Sequence, residues 1–138
     1  MIRHCGALLL LALLLAACTT NPLRSPRDEW PEIGNEFAKS LRWSGAELAA
    51  TFFTSSARAN FLTAYGDVGG MLQITNVRHD VGAPPVGSRA QGLLAIEYYR
   101  SPSISVKTVN IPLEWSCVEA GTLQPCRWQI STLMTRLP

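Results

Sequence analysis

Histidine occurs only twice in the 138-residue chain, and charged side chains make up 16% of it with no run of like charge. Each shortage removes a class of function. His4 belongs to the extreme N-terminal segment, which leaves His79 without a second histidine or a Cys, Asp or Glu cluster at ligand spacing. No metal site and no cofactor are therefore expected. The bases are scattered singly from Arg24 to Arg136. They form no stripe, so nucleic acid is not an expected partner. Ser55 and Ser56 lack the G-x-S-x-G setting of an activated serine. "GDVGG", residues 66–70, has neither the lysine nor the strand-to-helix context of a phosphate loop and reads as a breaker. No apolar run is long enough to span a bilayer, which takes about 20 residues.

A shorter run is present. "ALLLLALLLAAC", Ala7 to Cys18, follows the basic Arg3 and His4 and gives way at once to Thr19, Thr20, Asn21 and Pro22. A basic start, an aliphatic stretch and small residues at the end spell a secretory signal. Leu15-Ala16-Ala17-Cys18 resembles the lipobox of bacterial lipoproteins. That resemblance implies removal of residues 1–17 and acylation of Cys18, and Thr19 in place of Asp implies sorting to the outer membrane. Each buried CH₂ contributes about 0.8 kcal/mol, and two or more chains hold stably where one does not. The expected address is the cell envelope, with the domain facing the periplasm and the membrane as partner through the anchor.

Loss of residues 1–17 leaves 121 residues with eleven bases against ten acids. That is enough for one domain with one core. Of the four cysteines, Cys5 leaves with the signal and Cys18 takes lipid; Cys117 and Cys126, exported together, read as a disulfide. Residues 18–31 hold three prolines and no apolar period, so they are expected to form an extended tether, reaching up to roughly 40 Å at about 3.1 Å per residue. Trp30, between two of those prolines' flanks, is expected there as either an exposed docking indole or a clamp on the domain edge.

The domain is expected over 32–138. Ile33, Phe37 and Leu41 recur every four residues on one helix face. Ser44-Gly45-Ala46-Glu47 has the capping-box pattern of a second helix carrying Leu48 and Phe52. A third opens near Ser55 or Ser56 and stops at Gly66. Beyond Gly70 the period becomes two, with strands expected over 71–81, 89–101, 103–116 and 127–137. The "SPS" connection fixes Leu94, Ile96 and Tyr98 opposite Ile111, Val109 and Lys107. Direct pairing of Cys117 with Cys126 sets Trp115 opposite Trp128 and Leu113 opposite Ile130, with Ile111 and Val109 following opposite Thr132 and Met134. One face is then apolar, a segregation that a one-residue slip destroys. Pro112 has no N–H and interrupts that ladder. The expected fold class is α+β, N-terminal helices covering a four-stranded antiparallel meander.

Helices followed by a curled four-stranded sheet, with "LRWSGAELAATFFTSSARANFL", "ITNV", "LAIEYYRSPS" and "WQIS" in that order, resemble the NTF2-like (cystatin-like) folds, nearest to uncharacterised lipoproteins of proteobacteria. Members often enclose a pocket between sheet and helices, and Tyr98, Trp115 and Trp128 are the candidates to line one here. No catalytic residue is nominated. His79 and Asp80, adjacent on a strand, point to opposite faces. Glu97 points away from Tyr98 to solvent. Two readings follow: a non-enzymatic envelope lipoprotein that binds another protein or serves an assembly, or a small-molecule binder or enzyme using the pocket. A homodimer through Leu93, Ala95 and Tyr99 on the outer sheet face is a third option.

Overall fold

A computed structural model describes residues 25–119, 121 and 125–138. Residues 1–17, expected to be a signal, Cys18 and residues 19–24 lie outside them.

The first helix, α1, runs Pro26–Trp43 and begins inside the stretch expected to be tether. The reason is local. Ser25 caps it by accepting the Arg27 backbone N–H at 3.1 Å, and Pro26 occupies the first helical position, where a missing N–H costs nothing. Asp28 and Glu29 in the first turn, with Arg42 in the last, complement the helix dipole. Pro31 forgoes only one bond near the helix start. Proline content, read as extension, was here a start signal. Trp30 is correspondingly not an exposed indole; it is fully buried.

Ser44 closes α1 through its N–H to the Ser40 carbonyl at 2.9 Å, so the capping box does not form. Gly45, at φ +86°, opens the one-turn helix α2, Ala46–Ala49, without any side-chain cap. A 3-10 turn, Ala50–Phe52, leads to α3, Ser55–Tyr65, which ends at Gly66 as expected. Phe37 of α1 meets Phe53 at 5.6 Å, Phe53 stacks on Phe61 at 4.3 Å, and Phe61 on Tyr65 at 5.1 Å. This aromatic column joins the helices and fills the concave side of the sheet.

Four antiparallel strands follow in simple meander order: β1 Leu72–Val81, β2 Arg89–Arg100, β3 Lys107–Val118 and β4 Arg127–Ile130. Between β2 and β3, Leu94 faces Ile111, Ile96 faces Val109 and Tyr98 faces Lys107, the expected register. Between β3 and β4 the register is displaced by two residues. Trp115 faces Ile130 and Cys117 faces Trp128. The disulfide Cys117–Cys126 forms diagonally, with Cα atoms 5.2 Å apart. A shift of two keeps every side chain on its face, so the apolar segregation that suggested the register is satisfied equally well by the observed one.

β4 also ends seven residues before the expected Leu137. Pro112 supplies the cause. The Glu114 carbonyl accepts from Ser131 N–H at 2.9 Å and the Glu114 N–H donates to Thr132 Oγ1 at 2.7 Å, so the even-numbered positions of β3 bond toward β4. Pro112 is next in that series and has no N–H to offer. The chain leaves the sheet there and crosses the helices: Met134 N–H donates to Asn60 Oδ1 at 2.6 Å, and the Pro138 carbonyl accepts from Tyr98 Oη at 2.7 Å. Three helices thus pack against a curled four-stranded half-barrel, consistent with an NTF2-like arrangement.

Candidate functional site

The three residues nominated for a pocket are shut in the core. Tyr98 donates a hydrogen bond from its hydroxyl to the Pro138 main-chain oxygen, and Trp128 donates Nε1–H to the Pro26 carbonyl at 2.6 Å. The second bond ties the start of α1 to β4. Trp115 is fully buried, and it borders an outer cleft of about 210 Å³ shared with Arg89, Gln91, Glu114, Ser116 and Ser131. The structure brings Trp115 and Trp128 near each other through Trp30 and His79 rather than around an opening: Trp30 lies 5.8 Å from His79 and 6.4 Å from Trp128, and His79 lies 5.5 Å from Trp115. Trp43, in contrast, is three-quarters exposed, with the Arg42 guanidinium 4.4 Å above its ring.

His79 is nearly buried on the inner sheet face. Strand alternation sends it inward and Asp80 outward, where Asp80 pairs with Arg78 at 3.0 Å. The imidazole is admitted by two glycines. A β-carbon on Gly34 of α1 would stand 2.3 Å from Nδ1, and one on Gly92 of β2 would stand 2.4 Å from Nε2. Among the described residues, neither ring nitrogen has a hydrogen-bond partner, nor do Nε1 of Trp30 and Trp115. Burial, opposed by the Asp80 carboxylate, lowers the His79 pKa below its ordinary value, which favours the neutral ring. Burial, then Tyr98, pushes the Tyr65 hydroxyl upward. A neutral imidazole clamped between glycines and indoles packs against them, and His79 also borders a cleft of about 470 Å³ with Asn35, Lys39, Arg42 and Asn76.

An open concavity lies on the other side of the sheet. A cleft of about 740 Å³ runs under the 82–88 loop and along the outer face of β2 and β3, where Leu93 and Pro112 form an apolar floor between Asp80, Gln91 and Glu114. Its wall is built by local chemistry. Val86 and Arg89 exchange backbone hydrogen bonds at 2.9 and 3.1 Å, Gly87 takes φ +58°, and Arg27 donates to the Pro85 carbonyl, pinning the loop to α1. Leu93 is 39% exposed there. An exposed leucine beside a proline, with carboxylates and an amide at the rim, suits capture of an apolar side chain on a chain segment.

Sequence reasoning missed the glycines that admit His79 and the cleft. Leu93 reads from the sequence as outer-face apolar area, but the overhanging loop that makes a concavity of it depends on Arg27, distant in sequence. Among the described residues, no group of three His, Cys, Asp or Glu side chains is arranged to hold a metal ion, and no helix is long and apolar enough to cross a membrane. No protein-family model matches the chain, and no curated protein matches it either.

Proposed function

We propose that this chain is an outer-membrane lipoprotein, held by acyl chains on Cys18, whose domain binds another envelope protein through the outer cleft. The observation that carries the address is the aliphatic run ending on Leu15-Ala16-Ala17-Cys18. The Cys117–Cys126 disulfide supports export, because such bonds persist in oxidising compartments. The binding half of the reading is supported by where open space lies: outside the sheet, over Leu93 and Pro112, while Tyr98, Trp115 and Trp128 are enclosed. The ligand is a protein segment inserting an apolar side chain over Leu93.

Affinity purification of the full chain from membranes in mild detergent tests this. A stoichiometric envelope protein is expected, and Leu93→Asp is expected to weaken its recovery by about tenfold or more, the effect of losing a central apolar contact. Recovery of the lipoprotein alone across growth conditions contradicts the reading. A second copy on the same face appears instead as a dimer in sedimentation of the mature domain.

A further inference from the structure

The early start of α1 shortens the tether, and that sets how the domain stands on its membrane. Only residues 19–24 separate Cys18 from Ser25, and one of them is Pro22. Seven steps at about 3.1 Å span about 22 Å. The start of α1 sits at one end of the sheet. Ser25, Arg27 and Trp30 line a shallow cleft with Val81, Gly82, Pro84 and Pro85, and Pro26 accepts from Trp128 at the start of β4. That end also holds Arg89, which faces Ser116, and the disulfide beyond it. The opposite end carries Arg100, the 101–106 connection and Lys107. β2 has twelve residues, so the two ends lie roughly 35 Å apart at about 3.3 Å per residue.

A domain standing on its 101–106 end places Ser25 roughly 35 Å above the headgroups, beyond what a fully extended tether reaches. We infer that the molecule stands on the other end, with the 82–88 loop directed at the lipid headgroups and Val86 as the contacting tip. Val86 is 80% exposed, and Val81 and Val118 at the same end are each more than two-fifths exposed. Arg27, Arg89 and Arg127 share this end with Asp28, Glu29 and Glu119, so the contact depends on the anchor and an apolar tip rather than on a net positive surface. This inference rests on the acylation of Cys18 proposed above. Its consequence is that the 101–106 connection, with Ile104 at 86% exposure, is presented away from the bilayer.

The test uses the full lipidated chain in vesicles of phosphatidylethanolamine and phosphatidylglycerol. Val86→Cys and Ile104→Cys, both at exposed loop positions, each carry a nitroxide, after confirmation that Cys117–Cys126 is intact. Collision with a nickel chelate fixed to lipid headgroups is measured for each. Several-fold greater collision at position 86 than at 104, unchanged by added salt, is expected. Equal values, or greater collision at 104, overturn the orientation. Intact mass of the same samples separates the two ideas. Lipid on Cys18 with equal collisions refutes the orientation alone, whereas absence of lipid removes both.

Discussion

His79 is held by what its neighbours lack. Gly34 and Gly92 leave the space its ring fills, with hypothetical β-carbons only 2.3 and 2.4 Å from ring nitrogens. Replacing a helix-interior glycine by alanine ordinarily stabilises by about 1 kcal/mol. At Gly34 the sign is expected to invert, because overpacking costs about 1–3 kcal/mol. Urea denaturation of Gly34→Ala and Gly92→Ala measures this, and His79→Ala combined with either should recover part of the loss, since contacting sites couple. The histidine also gives the stability a pH slope. Its folded pKa lies below the ordinary 6.5, so the unfolded chain takes up the proton first as pH falls. Stability from this group is complete above about 6.5 and declines below it, toward the folded value. His79→Leu should flatten that decline in denaturation curves taken across the acid range. Strand alternation alone placed His79 and Asp80 on opposite faces, because the period of two is a property of the backbone. The two glycines were not legible, since each is significant only through a side chain far from it in sequence.

At the scale of elements, the segments that were legible are those whose cues are local. The register of β2 with β3 followed from a short connection and apolar alternation, and α3 from its boundary residues. The departures occurred where one cue admitted two structures. Ser25-Pro26 is as good a helix opening as it is a tether, and only burial of Trp30 against His79 and Trp128 decides between them. Trp30→Ala should therefore cost about 3–5 kcal/mol, the price of truncating a buried indole. A tether residue would cost nothing measurable, so thermal or urea unfolding of that variant discriminates cleanly. The β3–β4 hairpin went astray by two residues because the pattern of faces is blind to even shifts. Its disulfide, although diagonal, still closes a short loop, and Cys117→Ser with Cys126→Ser should lower stability by about 2–3 kcal/mol relative to the oxidised protein. Pro112 was recognised as an interruption; what it interrupts is the pairing with β4, and the freed tail becomes the strap that satisfies Tyr98.

For the whole molecule, the α+β layering was legible because helices carrying Phe37, Leu41 and Phe61 needed an apolar sheet face, and the sheet bearing Leu94, Ile96 and Trp115 needed a cover. The outer cleft was not, because it is made by a loop overhanging a face whose residues alternate with the core. Under the proposed anchoring at Cys18, the short tether and the cleft beside the 82–88 loop place the proposed partner's binding close to the bilayer. In this account Cys18→Ser moves the protein from the membrane to the soluble envelope fraction without altering the fold, as read by circular dichroism and by the intact disulfide. The most direct test is the intact mass of the protein extracted from native membranes. The account predicts a mature chain beginning at Cys18 and carrying diacylglycerol; a chain with an unmodified cysteine at that position contradicts it.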